Sequence, residues 1–588
     1  MSVTLDAPPC TLSARDLVLG YHGTSVVHDA SLELRAGWVT ALVGPKRQRQ
    51  VDAAAGAGAL ASPISGAVLL GDGSDALLLG SRGSLIRVAT LTDFSFRVTS
   101  GIDDDSGRWT LQWSPVPTPH EALDALLAGA PRVVELAGRF AAAGHELALV
   151  GGPVRDALLG RVGTDWDLAT SARPQQSEQV LSGWADAVWD IGREYGTIGA
   201  RKDGLDLEVT TYRRDTYDPD TRKPDVDYGD TLEGDLARRD FTINAMALHL
   251  ADRLFVDPFG GLGDLSRQVL RTPSTPEQSF SDDPLRMLRA ARFTAALCFT
   301  ADPGVVEAMT EMAERITIVS AERVRDELVK LVTSPRPRDG LTLLVDTGLA
   351  DQVLPEVSAL RMTKDEHNRH KDVYEHSLTV LDQAIALEFR LGGGPDFVCR
   401  FAALMHDVGK PGTRRFGDDG QVTFHHHDVV GATMTSKRMK ALRFSSEQVK
   451  AVSALVALHL RFHGYGEGQW TDSAVRRYVR DAGPHLERLH VLTRADCTTR
   501  NRRKAARLQR TYDALEERIA RLAEQEEMAA VRPDLDGNQI MTILGIGPGR
   551  EVGEAYRHLL EVRLDQGPLD ETRAREELLA WWATRRRA

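Results

Sequence analysis

Residues 147–167 read LALVGGPVRDALLGRVGTDWD, and this stretch decides the fold. It parses as a short apolar strand, a glycine turn, a helix, a loop and a second strand. Gly151 and Gly152 allow the backbone to approach a ligand closely, and the helix start near Pro153 offers free N–H groups and a positive dipole end to a triphosphate. Arg155 and Asp156 fall in the first helical turn. Asp165 and Asp167 alternate on the second strand and so share one face, where two carboxylates repel unless solvated or neutralised by cations. Hard oxygen donors of this kind suit Mg²⁺. A third carboxylate is available in residues 205–211, LDLEVTT, where Glu208 shares a face with Asp206 and Thr210. The spacing alone does not choose between Asp206 and Glu208.

Working outward, helical periodicity begins near Glu121, and strand-like and helical stretches alternate to about residue 270. Beyond that, apolar residues recur at helical spacing almost to the end. The fold class is α+β: a small mixed α/β head followed by a long all-α body. The expected divisions are residues 1–115, a head over 120–270, a helical neck over 271–360, a helical domain over 361–500 and a C-terminal helical region over 501–588.

The motifs of the head resemble those of the class II CCA-adding enzyme and bacterial poly(A) polymerase family, a branch of the polymerase-beta-like nucleotidyltransferases. Beyond GGPVRD and DWD, the resemblance includes EYGTI at 194–198, EVTTYR at 208–213, DLARRDFTINAMA at 235–247 and SDDPLRMLRAARF at 281–293. It implies that Asp165 and Asp167 hold two Mg²⁺ ions, that Glu208 rather than Asp206 assists, and that Gly151, Gly152, Arg155, Arg238, Arg239 and Asp240 contact the nucleotide. Guanidinium forks suit phosphate oxygens and a carboxylate suits a sugar hydroxyl. Asp283 and Arg286, three apart on a predicted helix, match the family's protein-side template, with Arg289 and Arg292 beside them. A carboxylate accepts from the amino group that cytosine and adenine share, and uracil and guanine present a carbonyl there. Asp282 stands where the family usually has Glu.

A second cluster lies between residues 376 and 496. The segment LMHDVGKPGTRRF at 404–416 resembles an HD-type metal-dependent phosphohydrolase, which implies the ligands His376, His406, Asp407, His427, His459 and Asp496 for a further divalent metal. His425 and His426 adjoin His427, so the residues alone leave the choice within HHH open.

The net charge of −12 does not suit an RNA binder on average, but a polyelectrolyte responds to local patches. RADCTTRNRRKAARLQR at 494–510 supplies one: Arg494, Arg500, Arg502, Arg503, Lys504, Arg507 and Arg510 can follow tRNA phosphates. The stretch at 535–560 resembles the family's tRNA-holding C-terminal region. The partners implied are tRNA, CTP and ATP, with no protein partner. CCA addition is the first reading, poly(A) addition its close runner-up, and an HD phosphohydrolase the alternative from another class.

Residues 12–45 resemble the opening strands of an ABC-type ATPase, yet KRQRQVDAAAG at 46–56 lacks the phosphate-binding glycines, Lys and Ser/Thr. Residues 47–56 can be coded so that the next frame reads G-S-G-K-S-T-L-L-R, which points to compensating frameshifts, and ATPase activity is not expected. Residues 101–120 read as a polar linker. At 42% hydrophobic and 27% charged residues, with four dispersed cysteines and no apolar run of membrane length, the chain reads as a cytoplasmic globular protein without disulfides.

Overall fold

The computed structural model describes residues 118–585 except 162, 164–165, 194–195, 217–224, 230, 362–372, 417–421, 463–469, 500 and 527–531, together with six strands between residues 12 and 115. The chain divides into two compact units, residues 1–131 with 157–161, and the remainder.

In the first unit, strands Leu12–Tyr21, Thr24–Leu34, Ser62–Leu70 and Ala76–Leu78 form an antiparallel sheet. The stretch at 46–56, for which frameshifts were expected, lies outside the described residues. The expected linker is instead a strand pair, Phe96–Ile102 with Trp109–Pro115. The alternation in WTLQWSP is a strand signal that the surrounding turn residues obscured. A helix then starts at Pro119, capped reciprocally by Thr118 and Glu121.

The head of the second unit is a seven-stranded sheet. In chain order its elements are β1 (Leu147–Val150), the short helix α1 (Gly152–Leu158), β2 (Asp167–Thr170), β3 (Ala187–Gly192), β4 (Thr197–Lys202), β5 (Leu205–Thr211), helix α2 (Leu232–Ala237), β6 (Ala247–His249) and β7 (Phe255–Val256). The strand order is β7-β6-β1-β2-β5-β4-β3, and β2–β5 is its only parallel pair among the described residues. Strand β1 is buried at all four positions, as a central strand covered on both faces must be. Strand β5 alternates: Leu207, Val209 and Thr211 are buried while Asp206 and Glu208 are exposed. Beneath the sheet, Ala148, Val150, Ala169, Tyr212, Leu232, Leu236 and Ala247 pack as one core.

The body is helical, as expected. The neck carries α3 (Pro276–Asp282), α4 (Leu285–Leu297) and α5 (Ala321–Val332); the next domain carries α6 (Val373–Leu387), α7 (Phe397–Met405), α8 (His427–Ala441), α9 (Ser446–Leu458) and α10 (Leu486–Ala495). Helix α11 (Arg502–Glu526) leads to three C-terminal helices that close around Leu535, Ile540, Leu559 and Leu578. Among the described residues no helix is long and apolar enough to cross a membrane.

Candidate functional site

Strand pairing places the head carboxylates. Glu208 is the parallel partner of Asp167, and the Glu208 N–H donates to the Trp166 carbonyl at 3.0 Å. Paired residues of adjacent strands project to one face, so the two acids stand side by side. Asp165 lies outside the described residues. Asp206 and Glu208 face different neighbours on β4. Asp206 sits opposite Arg201, which grips it with two hydrogen bonds of 2.5 and 2.8 Å, whereas Glu208 sits opposite Gly199, which has no side chain to offer.

The glycine turn meets the arginine segment. Gly151 has φ +73°, in the left-handed region that favours glycine, and Arg239 Nη1 comes within 2.8 Å of where a Cβ would stand. Arg238 and Arg239 are both anchored on Asp235, at 2.6 and 3.1 Å, and Asp235 is buried. Burial alone would raise the Asp235 carboxyl, but the two guanidiniums outweigh it and hold it below the usual range.

Asp240, expected as a sugar contact, is engaged by partners within the chain. Its Oδ1 accepts from the Phe241 N–H at 2.8 Å and from Asn244 Nδ2 at 2.9 Å, and its Oδ2 accepts from Arg289 Nε at 2.7 Å. Burial opposes its charge, yet Arg289, Asn244 and Arg286 keep it strongly depressed. Asp240 is therefore a hub that ties the head to neck helix α4. Asn244 extends the chain by accepting from Arg155 Nη1 at 2.7 Å. On the neck side, buried Glu327 of α5 faces Arg289 and Arg292. Arg292, Arg155 and Arg289 all approach the Phe293 ring, at 3.9, 5.3 and 5.6 Å from its centroid. Three of the four expected neck residues thus enter one network with the head. Asp235, Asn244 and Glu327 are members that the sequence reading missed.

Asp283 and Arg286 do not share a helix. Asp283 ends α3 in extended conformation, with φ −142° and ψ 101°, and Arg286 lies in the first turn of α4. Pro284 is the cause, since the residue before proline is pushed away from helical geometry. Arg286 is buried and donates to Ser279 Oγ at 2.9 Å and to the Arg238 carbonyl. Asp283 is partly exposed.

The second centre forms at helix ends. His406, His459 and Asp496 cap the C-termini of α7, α9 and α10, His427 opens α8, and His376 stands in the first turn of α6. Gly409 lets α8 approach: a Cβ there would be 2.1 Å from the His427 carbonyl. His376, His406 and Asp496 form one potential ligand group, and Asp407, His427 and His459 the other. Asp407 Oδ2 lies 3.2 Å from His406 Nε2, and its Oδ1 lies 3.3 Å from His427 Nε2. The Nδ1 atoms of His406, His427 and His459 face the carbonyls of Ala403, Phe424 and Val456 at 2.7–2.8 Å. A carbonyl only accepts, so each Nδ1 carries the proton and each Nε2 lone pair points inward. His427 Nε2 is buried without a hydrogen-bond partner. These donors fit a divalent metal. His425 and His426 are exposed, and His427 is the member of HHH that joins a potential ligand group.

The basic stretch is divided. Arg494 is buried and spends its guanidinium on Glu516, Gln509 and Asp513 at 2.7–2.9 Å, so it braces α11 rather than facing RNA. Arg503, Lys504, Arg507 and Arg510 are exposed on α11. Arg500 lies outside the described residues, and Arg502 opens the helix.

A glycine turn under an arginine pair, next to two carboxylates on a central strand pair, defines a nucleotidyltransferase head, here joined to a divalent-metal centre in a helical body. Residues 147–271 match the poly A polymerase head domain, 298–360 the probable RNA and SrmB-binding site of polymerase A, and 373–501 the HD domain. None of these three matches reaches the N-terminal ATPase-like stretch. The chain is 36% identical over 425 residues to an A-adding tRNA nucleotidyltransferase of Deinococcus radiodurans, covering 71% of this chain and 91% of that protein. It is 30% identical over 429 residues to a CCA-adding enzyme of Streptococcus thermophilus, covering 73% and 90%. The crystal structure of the Bacillus stearothermophilus CCA-adding enzyme in complex with CTP shares the fold, with TM-score 0.57 and 24% identity over 77% of this chain and 98% of that one. The chain belongs to the class II CCA-adding enzyme and poly(A) polymerase family.

Proposed function

We propose that this nucleotidyltransferase rebuilds the CCA terminus of tRNA from CTP and ATP in the cytoplasm. The observation that supports this most is the alignment with enzymes named for A or CCA addition, which runs over 91% and 90% of their lengths. Asp165 and Asp167 would hold two Mg²⁺ ions, which when bound activate the RNA 3′-hydroxyl and stabilise the leaving pyrophosphate, and Glu208 would assist beside them. Arg155, Arg238 and Arg239 bring guanidinium forks to the glycine turn, where a triphosphate can lie. Asp283 offers a carboxylate to the amino edge common to cytosine and adenine, with Arg286 as its donor partner once its guanidinium turns from Ser279. The exposed basic face of α11 takes the tRNA backbone.

A second reading, addition of the terminal A alone, is favoured by the name of the Deinococcus relative. Two tRNA transcripts separate the readings, one lacking the whole terminus and one ending in CC. CCA addition requires CMP incorporation into the first. Incorporation of AMP into the second, with no CMP entering the first, establishes the narrower activity.

A further inference from the structure

The residue that fixes the base-selecting carboxylate comes from the neck. Asp283 stands between α3 and α4, where Pro284 denies it helical geometry and so denies it the support of a helix. Its Oδ1 accepts from the Leu285 N–H at 3.1 Å, and its Oδ2 accepts from Arg323 Nη2 at 2.8 Å. Arg323 lies on α5, one turn before Glu327, which faces Arg289 and Arg292. The same neck also holds the preceding residues, since Arg315 Nη2 donates to the Ser281 carbonyl at 3.2 Å.

We infer that Arg323 is a specificity-determining positioning residue: by holding Oδ2 of Asp283 it orients the carboxylate that meets the incoming base. A carboxylate tethered at one oxygen can turn about its Cβ–Cγ bond, whereas one held at both oxygens presents its remaining lone pairs in a fixed direction. The charge-assisted bond leaves acceptor lone pairs on the Asp283 carboxylate, and an acceptor rejects the carbonyl of uracil or guanine. The ion pair is half-exposed, with Arg323 at 45% and Asp283 at 21% side-chain accessibility, so its contribution to folding is small. Its value to the protein lies in the direction in which Asp283 points.

This inference rests on the reading of Asp283 as the base-contacting group, and the experiment separates the two. CTP against UTP competition on a tRNA lacking its terminus is measured for wild type, Asp283→Ala, Arg323→Gln and Arg323→Lys, with melting temperature and tRNA affinity alongside. Arg323→Gln should lose about tenfold in C-over-U preference, as expected when one edge match loses its geometry, while melting and tRNA affinity stay at wild-type values. Arg323→Lys, which can still donate to Oδ2, should recover part of the preference, and it decides the matter if the glutamine variant does not fold. Loss of base choice in Asp283→Ala with the wild-type ratio kept in both Arg323 variants overturns the role of Arg323 alone. A wild-type ratio in Asp283→Ala overturns the reading of Asp283 and this inference with it.

Discussion

Glu208 stands directly opposite Asp167 across a parallel strand pair of the head sheet. Two acids brought together by backbone pairing repel at neutral pH, and they are retained at low cost where water solvates them or a cation neutralises them. Asp167→Ala should therefore lower nucleotide incorporation by roughly a hundredfold or more, because several kcal/mol of charge stabilisation leave with the metal. Asp206→Asn is the control: its acid is already engaged by Arg201 on the neighbouring strand, and incorporation should stay near wild type. A larger loss in Asp206→Asn than in a Glu208→Gln variant would reverse the assignment of the two acids.

The link between head and neck should be acid-sensitive. Asp240 is held well below the usual carboxylate range in the folded chain, so its contribution is complete above the unfolded value of about 4 and is lost as pH falls through the folded value. In that window the unfolded chain binds more protons than the folded one, which makes stability fall on acidification. Thermal melts between pH 5 and pH 3 should show a steeper decline for wild type than for Asp240→Asn. At neutral pH the variant should be less stable by about 1–3 kcal/mol, the cost of leaving a buried partner poorly satisfied. Parallel declines in the two proteins would show that other carboxylates govern the acid limb.

Local chemistry was legible in the sequence, and partnership across the fold was not. The strand, glycine turn and helix at 147–158 formed as read because apolar run, Gly-Gly and Pro153 act within a few residues. The HD ligands were legible for a similar reason, since each is a chemically distinctive residue near a helix end. Asp235, Asn244, Arg323 and Glu327 carry no such mark. Each looks like an ordinary polar helix or loop residue until the fold brings up Arg238, Asp240, Asp283 or Arg289. The Asp-Pro dipeptide at 283–284 did signal a break, but helical spacing of the surrounding apolar residues hid it. Arg494 shows the converse error, for a charge run does not reveal which of its members will be spent on internal acids.

The two centres should be separable. The potential HD ligands lie on α6 and α8 or just beyond α7, α9 and α10, and share no residue with the head carboxylates. His406→Ala combined with Asp407→Ala should abolish tight binding of Mn²⁺, Co²⁺ or Ni²⁺ to the body and any phosphohydrolase activity that depends on it, while CTP and ATP incorporation persists. A folded double variant that no longer incorporates nucleotides would mean that the centres work as one.

The basic helix α11 should behave as a phosphate track in part only. Arg507→Gln removes an exposed cation and should weaken tRNA binding while reducing the slope of log affinity against log salt by about one. Arg494→Gln should instead lower the melting temperature, because it leaves Asp513 without its cation and Glu516 with Arg390 in place of two guanidiniums. If Arg494→Gln changes the salt slope and leaves the melting temperature alone, the division of the stretch is wrong.

The most direct measurement is sequencing of tRNA 3′ ends after wild-type enzyme has acted on a transcript lacking its CCA, with CTP, ATP and Mg²⁺ supplied together. The account predicts ends extended by C, C and A that then stop, and unextended ends with Asp167→Ala. Long runs of A, or a product free of added C, would contradict it.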